Sequence, residues 1–579
     1  MTTHPSLGID LGTTNSLISV FEGGAPRLIR NAHGRTLTPS VVGVLPSGEV
    51  VVGEAARELA LTAPERVVAA FKRWMGVERE VELAGRTFTP PELSSLVLAS
   101  LKRDAESELG REVRRAVVTV PAYFNQLQRA ATARAAGLAG LSVERMVNEP
   151  TAAALTYGFH HREGNRRLVV FDLGGGTFDV TVMEIFEGSL EILGTAGESR
   201  LGGEDFTEAL VAEALSNLGH NLELAELRVP RLVARLRSEA ERAKRAIGEH
   251  ERGQIRLPDS EGRVDSTSGV FEIDAARFEE LVQPLLERLR RPTLRALRDA
   301  RLSPERIDEV ILVGGATRMP AVRRLATDLF ARPPRHEVHP DEAVALGAAI
   351  QAALVADDAA VDDLVMTDVC PHTLGVEVVK EFGSRNVEGY FLPVIHRNTT
   401  IPVSREESVS TIYDGQTRID VRVFQGESRR VSENLLLGTL EVSELPPGPR
   451  GTEVVLRFTY DLSGLLEVEA LVPATGKRCA TVLRQGAADL SDEELRAAVA
   501  KMQALKVYPR EKLENQRLAA FASAALMELD ADGRQRVERA LDLYEHWLLQ
   551  NDAAQFDAAR HLLIESLREA GVPYPERDA

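Results

Sequence analysis

Cysteine is almost absent. Two residues, Cys370 and Cys479, occur in 579, too few for a disulfide framework, so a reducing cytoplasm is the simplest setting. Positive charge is also short: 69 Lys and Arg stand against 87 Asp and Glu, a net charge of −18. A nucleic-acid binder needs a basic face for phosphates, and this balance argues against one. No apolar run approaches the roughly 18–20 residues of a membrane span, so no membrane association is expected. The opening MTTHPSLGIDLG enters its first strand without a basic-then-apolar leader, and no secretory signal is expected. The motifs GxxxxGK(S/T) and HExxH do not occur, which leaves P-loop and zinc-protease readings without support. Residues 530–533, DADG, mimic part of a calcium loop, but Arg539 takes the place of the bidentate glutamate, so the run reads as a turn.

What is present is apolar residue in quantity, 44%, enough for large cores in several domains. The chain is organised around 168–179, LVVFDLGGGTFD. The apolar run 168–171 fits a strand covered on both faces. Asp172 ends it, and Gly174, Gly175 and Gly176 let backbone approach a ligand closely. Thr177 and Asp179 add oxygen groups suited to a phosphate–magnesium ligand. Taken alone, the stretch fits an ordinary tight hairpin equally well. The pattern returns at 7–15, LGIDLGTTN, where Asp10 ends a strand, Gly12 makes the turn and Thr13 and Thr14 supply hydroxyls. Two strand–Asp–Leu–Gly–Thr hairpins point to two similar lobes closing on one phosphate chain. A third glycine turn, 311–320 (ILVGGATRMP), also follows an apolar strand.

This trio resembles the phosphate-1, phosphate-2 and adenosine loops of actin-like ATPases. The wording DLGTTN, VPAYFN, NEPTAAAL, DLGGGTFD, LGGEDF and VGGATRMP resembles the DnaK-type heat-shock chaperones, nearest their HscC-type branch, over residues 5–545. The resemblance implies ATP with magnesium, potassium being a further candidate ion. Gly12, Thr13, Thr14, Gly175, Gly176, Gly202 and Gly203 would hold the phosphates, and Asp10 and Asp172 the magnesium through its waters. Lys72, Glu149 and Asp179 would surround the γ-phosphate and the attacking water, with Thr177 hydrogen-bonded to that phosphate. Glu241, Lys244, Arg245, Gly314, Gly315, Arg318 and Asp341 would form the nucleoside pocket, Arg245 and Arg318 sandwiching the adenine. Gly248 stands where the family often has a serine, one hydrogen bond fewer to the adenosine.

The expected architecture is a two-lobed α/β actin-like ATPase domain over 1–357, a linker over 358–368, an antiparallel β-sandwich over 369–485 and a short helical lid over 486–579. Residues 343–355 read as the last helix of the first domain. The linker sets Leu364, Val365 and Met366 behind an acidic run; in the family it docks on the ATPase domain when ATP is bound. Arg145 and Asp368 match positions used with J-domain partners. The alternation at 418–424 puts Ile419, Val421 and Val423 on one face and Arg418, Asp420 and Arg422 on the other. In 466–470, Glu467 and Glu469 alternate with Leu466, Val468 and Ala470 in the same way. By resemblance, Val376, Val409, Ile419, Val421 and Leu465 line a peptide pocket and Ile412 belongs to an arch over it; each also suits an ordinary sandwich core. Residues 380–386 look like an insertion relative to DnaK. In the lid, 491–494 reads as a capping box, Tyr508-Pro509 as a break, and 511–529 and 533–549 as helices.

The function expected is an ATP-dependent chaperone that captures and releases extended apolar polypeptide segments with a J-domain cochaperone, the need for an exchange factor being open. A specialised single-client chaperone or scaffold is the alternative. A small-molecule kinase or a filament protein would share the lobes but have no use for the linker and sandwich.

Overall fold

In a computed structural model, residues 6–572 are described except 61, 161–164, 187–188, 336–338, 362–363, 383–384, 462–463, 484–517, 520, 523–524, 527–528, 530 and 551–552. The chain forms two compact units, Met1–Pro371 and His372–Ala579.

The first unit is built on two sheets with one plan. In the first, Ser6–Asp10 pairs antiparallel with Asn15–Glu22 and parallel with Arg115–Val120. In the second, Arg166–Leu173 pairs antiparallel with Phe178–Phe186 and parallel with Glu309–Val313. Leu168, Val169, Val170 and Phe171 are all fully buried, as a strand covered on both faces requires. The hairpin repeat in the sequence is thus a repeat in topology, and it puts Asp10 and Asp172 at the ends of equivalent strands.

The helices Glu149–His160 and Ala343–Val355 pack together. The second has alanine at six of its 13 positions and glycine at Gly347. That composition follows from close approach: a Cβ at Gly347 would run into the Ala152 carbonyl, and one at Gly8 into the backbone of Ala348 and Ala349. Ser19 Oγ donates to the Ala345 carbonyl at 2.6 Å and Thr156 Oγ1 to that of Ala343 at 2.6 Å. Both hydroxyls satisfy polar needs inside an otherwise apolar seam.

The linker's apolar residues become a strand. Val365–Met366 adds parallel to Ser189–Glu198 at the edge of the second sheet, and Thr367 N–H donates to the Leu190 carbonyl at 3.0 Å.

The second unit contains two four-stranded antiparallel sheets. One runs Arg385–Ile395, Leu374–Phe382, Arg418–Gln425, Leu435–Ser443; the other Val403–Ser410, Glu453–Tyr460, Leu466–Val472, Lys477–Leu483. Val421 and Val423 are buried and Arg418, Asp420 and Arg422 exposed, as the alternation predicts. The second alternation behaves differently. Glu467 is 1% and Glu469 7% exposed, so the acidic face of that strand is covered too. For Glu469 the reason is lateral pairing. Arg457 stands opposite both Glu406 and Glu469 in the ladder, forms a buried ion pair with Glu406, and Arg478 reaches Glu469 at 3.2 Å. Charges that meet partners across strands can leave water.

The run 530–533 is not a turn from Ala531 onward, since the helix Ala531–Gln550 begins there. Good helix formers follow, and a glycine in the first turn breaks no internal hydrogen bond. This helix packs on Ala553–Glu569 around Val537, Leu541, Tyr544, Leu563 and Leu567. The capping box at 491–494, the break at 508–509 and most of the 511–529 helix lie outside the described residues. Among the described residues no helix is long and apolar enough to cross a membrane.

Gly347→Ala should destabilise the first unit by about 1–3 kcal/mol, because neither helix can retreat without opening the seam. A thermal unfolding midpoint equal to that of the parent protein would contradict this close packing.

Candidate functional site

A cleft of about 910 Å³ opens in the first unit, where the ends of the two matching strands meet. Its phosphate end is made by the glycine turns. A Cβ at Gly175 would overlap the Thr14 hydroxyl, so the turns face each other at van der Waals distance. The helix Gly203–Asn217 begins against the second turn: Gly203 N–H donates to the Gly174 carbonyl and Glu204 N–H to that of Gly175, each at 2.9 Å. Its N-terminus adds partial positive charge beside the turn.

Of the residues expected to hold nucleotide, Gly12, Thr13, Thr14, Gly175, Gly203, Glu241, Lys244, Arg245, Gly314, Gly315, Arg318 and Asp341 line the cleft, as do Asp10, Lys72, Glu149, Asp172 and Thr177. Gly176, Gly202 and Asp179 stand just behind this lining. Gly202 packs on the backbone of Gly175 and Gly176, where a side chain would collide. Asp179 lies directly across the ladder from Asp172 and accepts a hydrogen bond from Tyr123 N–H at 3.1 Å.

Buried negative charge dominates the floor. Asp10, Glu149, Asp172 and Asp179 are gathered with one cation, Lys72, which is 3% exposed and reaches Glu149 Oε1 at 2.6 Å. Burial, then repulsion from Glu149, pushes Asp10 and Asp179 up to about 7. The same two causes, joined by Asp179 and Asp10, push Asp172 well above the usual carboxylate range. Asp172 Oδ2 is buried and has no hydrogen-bond partner. Four carboxylates against one ammonium, with an orphaned oxygen among them, fit a divalent cation as the missing charge. Among the described residues no three acidic, imidazole or thiol groups converge tightly enough to ligate a metal directly. This carboxylate set fits a magnesium ion.

At the other end, Lys244 Nζ donates to the Gly203 carbonyl and Thr207 Oγ1, each at 2.8 Å, and pairs with Glu241 at 2.6 Å. Arg245 pairs with Glu241 at 2.9 Å, and Arg318 with Asp341 at 2.6 Å. Both guanidinium groups keep more than half their side-chain surface open, leaving faces on which a planar base can stack.

Several contacts at the site carry no signal in the sequence. Arg73 donates to the Gly176 carbonyl at 3.3 Å and pairs with Asp205, tying the lysine-bearing turn to the opposite lobe. Thr14 Oγ1 donates to Glu204 at 3.3 Å across the same gap. Asn148, next to Glu149, donates to both oxygens of buried Asp368 at 3.1 and 3.0 Å and accepts from Arg129 at 2.6 Å. Arg145 lends that carboxylate further positive potential. Asp368 is therefore held by the residue adjoining Glu149 of the carboxylate floor.

In the second unit, Val376 and Val421 are buried within the sandwich. Leu465 is buried in a turn, its N–H donating to Asp461 Oδ1 at 2.9 Å. Val409, Ile412 and Ile419 are half-buried, the exposure that a face taking up an apolar segment needs.

A family model described as Hsp70 protein matches residues 6–532. The chaperone protein DnaK of Thermotoga neapolitana is 42% identical over 505 residues, covering 85% of this chain and 82% of the relative. Those of Thermotoga petrophila and Thermotoga maritima are 43% identical over the same spans.

The raised carboxylate values set a pH dependence. Folding of the empty protein takes up protons here, so the contribution to stability is full below about 4 and lost as pH rises through about 7. A cation favours the ionised forms. Binding of ADP–magnesium at pH 7 should release protons, seen as a calorimetric enthalpy that tracks the ionisation enthalpy of the buffer. An enthalpy independent of buffer would contradict the assignment.

Proposed function

This chain belongs to the Hsp70 family, and we propose that it works as an ATP-driven chaperone whose hydrolysis step governs capture and release of extended apolar polypeptide segments. The observation that carries the reading is the buried carboxylate floor with its Lys72–Glu149 pair, set between two matching glycine turns. The division proposed is a nucleotide-binding domain over 1–357, a linker over 358–368, a peptide-binding sandwich over 369–485 and a lid over 486–579.

Backbone N–H groups of Gly12, Thr13, Gly175 and Gly176 hold the phosphate oxygens, and Thr177 donates its hydroxyl to the γ-phosphate. Asp10 and Asp172 accept hydrogen bonds from the waters of magnesium. That ion, when bound, offsets phosphate charge that would otherwise face four carboxylates. Lys72 places its ammonium beside the γ-phosphate, and Glu149 and Asp179 orient a water for in-line attack. Catalysis is then positioning and charge stabilisation. Arg245 and Arg318 stack on adenine, and Gly248 leaves one hydrogen bond unmade, which favours rapid exchange. Potassium is a candidate second ion.

Coupling runs through the linker. Asp368 holds Asn148, Asn148 adjoins Glu149, and Glu149 holds Lys72. A change at the phosphate is thereby felt at the linker strand, and by linkage peptide and ATP affinities change reciprocally. Arg145 and Asp368 are the residues assigned to a J-domain partner. Two cysteines in 579 residues accord with a reducing compartment, the cytoplasm.

The test is release of a fluorescent apolar peptide with and without ATP–magnesium. ATP should speed release, and Lys72→Ala should abolish hydrolysis while retaining nucleotide binding. Binding with no ATP effect would favour a scaffold, and normal hydrolysis in the variant would remove Lys72 from the mechanism.

Ile419→Asp should abolish capture of that peptide while leaving ATP hydrolysis and the unfolding of the first unit unchanged. Equal peptide affinity in parent and variant would take the pocket away from this strand.

A further inference from the structure

The hairpin of Leu374–Phe382 and Arg385–Ile395 carries the extra stretch 380–386 noted in the sequence. Its side chains converge with those of 429–430 on one ring. Tyr390 is 6% exposed. Arg430 stacks on it with its guanidinium carbon 3.8 Å from the ring centroid, Lys380 Nζ lies at 5.3 Å and the Arg429 guanidinium at 5.4 Å. Arg430 also donates to the Tyr390 hydroxyl at 3.0 Å and the Glu388 carbonyl at 3.2 Å. Phe382, 51% exposed, sits 5.9 Å from the same ring.

One cation lying on an aromatic ring is ordinary packing. Three are not accounted for that way, because like charges all within 5.4 Å of one ring centroid repel one another. Local carboxylates do not offset them. Glu377 is taken by Arg422 at 2.6 Å, Glu381 by Arg450 at 3.2 Å and Glu427 by Arg397 at 3.4 Å, while Glu433 accepts from the neutral Ser428 hydroxyl at 2.7 Å and keeps its charge. Among the described residues Lys380, Arg385, Arg429 and Arg430 form no ion pair, four cations against two carboxylates without a cationic partner, Glu388 and Glu433. This is a cationic surface on a chain of net charge −18.

We propose that this surface docks an acidic, extended polypeptide segment, separate from the site for apolar peptides. Charge complementarity sets the sign of the partner. The rest of the molecule selects its class, since an overall charge of −18 repels long polyanions and anionic membranes, whereas a short acidic segment feels mainly the local cations. Arg385–Ile395 is the edge strand of its sheet; residues 429–430 cover its middle, where Phe391 N–H donates to the Arg429 carbonyl at 3.0 Å, and among the described residues no strand pairs along the rest of its outer side. An extended backbone can lie along such an edge, with Phe382 offering an apolar contact beside the charges.

The experiment is fluorescence anisotropy with the full chain and a fluorescein-labelled peptide of alternating glutamate and serine, which has nothing apolar to place in the other site. Binding should weaken with salt and should fall about tenfold or more in Lys380→Glu/Arg429→Glu, where Arg430 is left in its stack. ATP hydrolysis, apolar-peptide release and the unfolding midpoint should not change. The milder pair Lys380→Gln/Arg429→Gln serves if the reversal lowers the midpoint. No binding, equal binding of a lysine–serine peptide, or undiminished binding by the variants would overturn the proposal. So would polyuridylate or anionic vesicles binding as tightly as the acidic peptide. None of these readings requires the ATP cycle, so failure here leaves the chaperone assignment standing.

Discussion

The structure of the first unit depends on an imbalance of charge held out of water. Glu149, Asp172 and Asp179 are buried and Asp10 half-buried around Lys72, and burial with mutual repulsion raises the proton affinity of the three aspartates. The imbalance is cheap to maintain while protons are available and attractive to a hydrated cation carrying triphosphate. Every larger feature serves to aim those groups. Matching strands bring Asp10 and Asp172 to one place, glycine turns clear the space above them, and the helix Glu149–His160 delivers Glu149 from the side.

A floor of this kind is useful only if the two lobes share a fixed seam and a movable rim. Alanine and glycine along Ala343–Val355 make the seam, with backbones too close for larger side chains. The rim is polar: Arg73 with Asp205 and Gly176, and Thr14 with Glu204, each cross the gap by hydrogen bonds that can break singly. Packed apolar seams are stiff, whereas partly exposed polar contacts exchange readily with water. The lobes are thus hinged by composition.

Much of the first unit was legible because its signals are local. The run 168–171 reads as a buried strand, Asp172 and three glycines as its end, and 343–355 as a helix, each within a window of about a dozen residues. Arg73 and Asn148 were not legible. Their partners Asp205 and Asp368 lie 132 and 220 residues away, and polar pairing has no period. Glu467 and Glu469 mark a different limit. Alternation shows which side chains share a face, but whether that face is wet depends on Glu406, Arg457 and Arg478 on neighbouring strands. Leu465 fell in a turn because the strand starts at Leu466, and a one-residue difference there decides which way a side chain points.

The linker strand Val365–Met366 is only two residues long, and brevity has a consequence for reading frame. A ladder this short cannot hold its own register by side-chain pattern. What fixes it is Asp368, which reaches Asn148 only when Val365 lies opposite Ser189 and Met366 opposite Leu190. A slip of one residue would carry the carboxylate about 3.3 Å along the strand, out of hydrogen-bonding range. The spacing between Met366 and Asp368 therefore matters as much as the identity of either. An extra residue inserted there would leave the strand pairing available and still carry the carboxylate away from Asn148.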